Sequence, residues 1–103
     1  MVYAFKMELK KGCEEEYKKR HDNLWPEMKQ LIHDNSGSNY SIFLDRETMT
    51  LFASIEISDP ERWIKGSENE INKKWSEYMA DIMEVNEDNS PVSEQLSLMF
   101  HLD

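Results

Sequence analysis

The spacing of apolar residues changes repeatedly along this chain, and the order of those changes limits the folds open to it. Tyr3, Phe5, Met7 and Leu9 recur at every second position, alternating with Lys6, Glu8 and Lys10. That is the pattern of a half-buried strand, and Gly12 ends it. From Cys13 to Asn35 the spacing becomes helical: Tyr17, His21, Leu24 or Trp25, Met28, Leu31 and Ile32 fall on related faces. Pro26 interrupts the run. Proline lacks a backbone donor and clashes with the preceding turn, but it suits a first helical turn. The spacing therefore predicts one helix from about Glu14 to Asp22 and a second opening near Pro26.

Asn35 to Asn39 reads as a loop. Tyr40, Ile42 and Leu44 then alternate with Ser41, Phe43 and Asp45. Arg46 to Met49 reads as a turn, and Leu51, Ala53, Ile55 and Ile57 share one face of a further strand, with Phe52 opposite. The two strands are expected to form a hairpin. Asp59-Pro60 opens a helix, with Asp as the cap and Pro at the first helical position. Helical spacing runs through Trp63, Ile64, Ile71, Trp75, Tyr78, Met79, Ile82 and Met83, with Gly66-Ser67 as a break. After a polar loop from Asn86 to Pro91, Val92, Leu96, Leu98 and Phe100 suggest a last strand. The order β, α, β, β, α, β is the ferredoxin-like arrangement: an α+β fold with helices on one face of an antiparallel sheet. The other face has no helix to cover it, and a second copy of the chain is the simplest cover.

At 103 residues the chain is expected to form one domain, residues 1–103. Twelve Lys and Arg against twenty-one Asp and Glu give a formal charge of -9. Such a surface repels phosphate backbones and anionic lipid, so neither nucleic acid nor membrane is an expected partner. No apolar run approaches the roughly 20 residues of a spanning helix, and the charged N-terminal segment does not resemble a signal peptide. Cys13 is the sole cysteine. One thiol makes no internal disulfide and no thiolate cluster for a metal, which fits a reducing compartment. The expected location is cytoplasmic.

Phosphate loops, a dinucleotide fingerprint and a Ser nucleophile elbow are all missing from the sequence. Of the histidines His21, His33 and His101, no two stand at metal-ligand spacing. Chemistry without cofactor or metal is expected, and proton transfer suits that limit. Tyr17 and His21 are four residues apart, hence on one helix face. Imidazole titrates near neutrality and can both give and take a proton. A Tyr and a His at that spacing more often simply edge a core. His33, beside Asp34 and Asn35, reads as a solvated helix-end residue, and His101 has no evident partner. Trp25, Trp63 and Trp75 offer faces on which a sugar could stack, although tryptophan at helical spacing is more often core.

A longer run is more specific. Glu16-Tyr17-Lys18-Lys19-Arg20-His21-Asp22-Asn23-Leu24-Trp25-Pro26-Glu27 closely resembles the Glu-Tyr-x-x-Arg-His-x-x-[aliphatic]-Trp-Pro-Glu signature of the L-rhamnose mutarotase family. Asn39 to Asp45, Glu61-Arg62-Trp63, Tyr78-Met79 and Asn89 to Ser93 match further family motifs, in order and spacing. The resemblance implies a ferredoxin-like chain that pairs into a homodimer of the dimeric α/β-barrel type, with a sugar bound in each subunit. It implies that His21 matches the family's proton donor and that Tyr17, Tyr40 and Trp75 match its sugar contacts. Family members often carry two adjacent tryptophans where this chain has Trp75-Ser76. Ser76 cannot stack, which bears on the fit of the sugar. Asn89 would help shape the pocket.

The implied chemistry is that of a hemiacetal. The ring opens to an aldehyde, rotates about one bond and recloses on the other face. One proton must reach the ring oxygen and one must leave the anomeric hydroxyl. On this reading His21 donates the proton to the ring oxygen and takes it back on closure, and Tyr17 or Tyr40 holds or relays the second, directly or through water. Two rivals use the same architecture: a cofactor-free monooxygenase, and a ligand-binding module without catalysis. Neither accounts for the run from Tyr17 to Pro26.

Overall fold

The computed structural model describes every residue from Met1 to Asp103. It contains β1 (Val2–Glu8), α1 (Glu14–Asp22), α2 (Pro26–Asp34), β2 (Gly37–Asp45), β3 (Thr50–Ile57), α3 (Pro60–Gly66), α4 (Glu70–Met79) and β4 (Ser93–Leu96). The strands form one antiparallel sheet in the order β2-β3-β1-β4, the ferredoxin-like order expected.

Local chemistry explains the helices. The α1 segment is strongly polar, but it places Glu14, Glu15 and Glu16 in its first turn and Lys19, Arg20 and His21 in its last. Both sets complement the helix macrodipole. Pro26 opens α2 at its first turn and leaves Trp25 extended, at φ -56° and ψ 132°. Asp59 caps α3 by accepting from the Arg62 N–H at 3.2 Å, and Asn69 caps α4 by accepting from the Ile71 N–H at 2.8 Å.

Register sets the two faces of the sheet. Phe5 pairs with Ala53, which pairs with Ile42; Met7 pairs with Leu51, which pairs with Leu44. This face packs against Tyr17, Met28, Trp75 and Met79 of the helices and against Ile82 and Met83 beyond them. Leu51 and Ile55 are fully buried, and each such side chain stabilises the fold by about 1.5–3 kcal/mol. The opposite face carries the pair Phe43–Phe52, with Phe43 67% exposed. No helix covers it.

The sequence reading needs correction in three places. The expected loop at Asn35 to Asn39 already contains the start of β2. Gly37 pairs with Ile57 and Ser38 with Glu56, before a bulge with Asn39 at φ 49° lets Ser41 resume the ladder. Helical spacing through Ile82 and Met83 does not continue the helix: α4 ends at Met79, Ile82 is buried from the turn that follows, and Met83 is buried from an isolated bridge to Leu9. The last strand is short. Its pairing with β1 ends at Leu96 opposite Ala4, and Leu98 and Phe100 lie exposed beyond the strand.

Candidate active site

The side chains singled out in the sequence meet in one place. Tyr17 and His21 from α1, Tyr40 from β2, and Trp75 and Ser76 from α4 all line a cavity of about 1080 Å³ between the helices and the sheet. That is slightly above the roughly 300–1,000 Å³ typical of small-molecule pockets.

Helix geometry arranges the first pair. One turn apart on α1, the Tyr17 and His21 rings stack at 4.3 Å between centroids, inclined by 29°. Tyr17 is only 8% exposed. The same turn separation pairs Trp75 with Met79 on the buried face of α4. The Trp75 ring meets His21 edge-on at 5.4 Å and Trp25 edge-on at 5.0 Å. Pro26 contributes indirectly, because the extended backbone it imposes on Trp25 precedes the ring that abuts Trp75 and Tyr78. Tyr40 comes from the sheet, edge-on to Phe5 at 6.3 Å.

The protonation states follow from these surroundings. His21 Nδ1 lies 3.1 Å from the backbone oxygen of Tyr17. A carbonyl only accepts, so Nδ1 carries a proton and donates it there, and the neutral ring's lone pair is on Nε2. Burial lowers the His21 pKa below its ordinary value; the Tyr17 carbonyl and the Asp22 charge oppose this without cancelling it. At neutral pH the ring is therefore uncharged, so Nε2 first accepts a proton, which reverses the expected order in which His21 donates to the ring oxygen. Both phenols shift the other way. Burial raises Tyr17 well above the usual phenol range, with Tyr40 adding to the effect. Tyr40 keeps 38% of its surface exposed, yet desolvation pushes its pKa up to about 12. Each remains a protonated donor. The site thus combines a proton-accepting imidazole, two phenol donors and indole faces.

Other expected positions fall differently. Asn89 does not line the cavity. Its positive φ of 69° turns the loop whose neighbours Asp88, Ser90 and Pro91 do. His33 is exposed, as expected of a helix-end residue, but it sits at the cavity rim. His101 finds a partner in Asp103, at 2.9 Å, and does not line the cavity. Glu14 was not singled out. It also lines the cavity, 3.9 Å from Arg46, with Oε1 buried and unpartnered. Its spacing from Tyr17 and His21, three and seven residues, is the same-face signal that could have marked it.

The chain is similar to known proteins along nearly its whole length. A family model for L-rhamnose mutarotase matches residues 2–102. An L-rhamnose mutarotase of Lachnoclostridium phytofermentans is 60% identical over 97% of this chain and 96% of its own length. One from Formosa agariphila is 55% identical over 97% of this chain and 96% of its own. The crystal structure of L-rhamnose mutarotase FA22100 from Formosa agariphila superposes with a TM-score of 0.92 at 53% identity, covering 100% of this chain and 99% of that one. A putative antibiotic biosynthesis monooxygenase from Nitrosomonas europaea, 12% identical with a TM-score of 0.63 over 92% of this chain and 84% of its own, shares the fold alone. A match over nearly the full length, at such identity, means that this chain belongs to the L-rhamnose mutarotase family.

Proposed function

We propose that this protein is an enzyme that interconverts the α and β anomers of L-rhamnopyranose by acid–base ring opening and closure. The observation that carries the reading is a neutral, half-buried His21 with Nε2 free to accept, stacked on Tyr17 in a cavity shared with Tyr40 and Trp75, in a chain of this family. His21 Nε2 takes the proton of the anomeric hydroxyl as the ring opens and returns it on closure. Tyr17 or Tyr40 donates toward the ring oxygen, directly or through water. His21 is thus the acceptor in one half of the reaction and the donor in the other, as reversibility requires. Trp75 packs on an apolar face of the sugar. Ser76, smaller than an indole, leaves that wall wider. The volume accommodates the open chain as it rotates about one bond. Acid–base help of this kind is typically worth about 10²–10⁴-fold.

The reading extends to assembly and place. A second copy of the chain covers the outer sheet face, where Phe43 and Phe52 are paired, and the exposed Leu98, Met99 and Phe100 contribute beside it. The substrate is a neutral sugar, in keeping with the acidic surface, and the protein works in the cytoplasm. Saturation-difference NMR across the two anomeric proton signals of L-rhamnose tests the activity. Exchange should quicken on adding micromolar protein, with no metal or cofactor present. An unchanged exchange rate would sink the reading.

A further inference from the structure

We propose that Arg20 is the positioning residue of this site: it fixes α1 against the end of α4 and so holds the His21 ring against Trp75. The proposal rests on the proton-transfer role given to His21 above. Arg20 neighbours His21 in the last turn of α1, and its charged side chain is only 11% exposed. Its Nη1 donates to the Tyr78 carbonyl at 2.7 Å and to Asp81 Oδ1 at 2.8 Å; Nη2 donates to Asp81 Oδ2 at 3.2 Å. Its Nε donates to Glu16 Oε2 at 2.8 Å, which holds the guanidinium from its own helix. Its Cζ lies 4.5 Å from the centre of the Tyr78 ring.

Two features make this contact more than an ordinary ion pair. First, α4 has no basic residue in its last turn, where carbonyls lack partners inside the helix. Arg20 supplies that cation from another helix, and these bonds are the polar side-chain ties that join α1 to α4 and the turn after it. Second, the Tyr78 ring under the guanidinium begins an aromatic series that ends at the site. Tyr78 abuts Trp25 and Trp75, at 5.5 and 5.6 Å, and Trp75 abuts His21 at 5.4 Å. Arg20 therefore acts on both sides of the His21–Trp75 contact, through the α1 backbone and through Tyr78. A displacement of about 1 Å at a reacting group can cost about 10²-fold in rate.

The test is a double-mutant cycle read by anomer exchange per folded molecule. Arg20→Ala should lower kcat by about tenfold or more, with KM within about threefold. Arg20→Lys should recover part of the loss, because an ammonium reaches one acceptor but lacks the planar fork. In a His21→Ala background, Arg20→Ala should cost nothing further. Equal losses in both backgrounds would make Arg20 purely structural and overturn the proposal, as would unchanged kcat in folded Arg20→Ala. A second readout does not depend on activity or on the His21 reading. Nuclear Overhauser contacts between the His21 and Trp75 rings should weaken in the milder Asp81→Asn, and they should persist in Lys73→Ala, which breaks an exposed pair on α4. Contacts that stay at full strength in Asp81→Asn would also overturn it. Full activity in His21→Ala alone would instead sink the role of His21.

Discussion

Gly37→Ala probes the packing that starts β2, the strand that carries Tyr40 to the cavity. A Cβ built on Gly37 would lie 2.7 Å from Trp63 Cζ3, 2.9 Å from Ile32 Cγ2 and 3.0 Å from Ile55 Cδ1. These are side-chain atoms of α3, α2 and β3, so side chains from three elements must shift to admit the methyl. Overpacking of this kind costs about 1–3 kcal/mol. Replacing glycine offsets about 0.4–1 kcal/mol by restricting the unfolded chain. The net is a loss of about 1–2 kcal/mol, which at about 4–8 °C per kcal/mol for a domain near this size lowers Tm by roughly 5–15 °C. Urea unfolding followed by tryptophan fluorescence, with calorimetry for Tm, measures both. Gly12→Ala is the contrast, since nothing stands within 4 Å of its Cβ and only its φ of 84° is strained. A Gly37→Ala protein at least as stable as the parent would refute the close packing claimed for this position.

Three further outcomes are expected. Because burial depresses the His21 pKa, the unfolded chain binds more protons than the folded one between that lowered value and about 6.5. The His21 contribution to stability is then complete above about pH 6.5 and is lost as pH falls through the lowered value. Urea midpoints should decline over that window, and the decline should shrink in His21→Gln; an identical slope in both would contradict the burial argument. Ser76→Trp should tighten L-rhamnose binding or shift preference among 6-deoxy-sugars by calorimetry, and no change with any sugar would mean that the position does not touch the ligand. Phe43→Asp places a charge on the uncovered sheet face, so light scattering should report dimers for the parent and monomers for the variant; a parent that is monomeric throughout would exclude the proposed pairing.

What could be read from the sequence was whatever local chemistry decides. The alternation of Tyr3, Phe5 and Met7, the break at Pro26 and the cap at Asp59-Pro60 all act within a few residues, and each element appears where they placed it. The start of β2 was hidden because Gly37 is strand through its pairing with Ile57, and its size matters through the side chains of Trp63 and Ile32. Neither relation has a sequence-local sign. Ile82 and Met83 keep helical spacing because the core needs apolar groups there, although a turn and an isolated β-bridge to Leu9 supply them. Within the site, Tyr17 and His21 announce themselves by one-turn spacing. Tyr40 and Trp75 come from other elements: Trp75 stood out only as one of three tryptophans, and Tyr40 entered through the family resemblance. Glu14 was on the same helical face and was passed over, since a carboxylate in a polar first turn looks like any other.

His21→Ala tests the central claim most directly, with anomer exchange and melting temperature measured on the same sample. Exchange should fall by about 10² or more while sugar affinity stays within about tenfold, because the imidazole acts chiefly in the transition state. Tyr17→Phe, which keeps the ring and removes one hydroxyl, should lose less. A folded His21→Ala protein that exchanges anomers at the parent's rate would contradict the account and move the proton to Tyr17 or Tyr40.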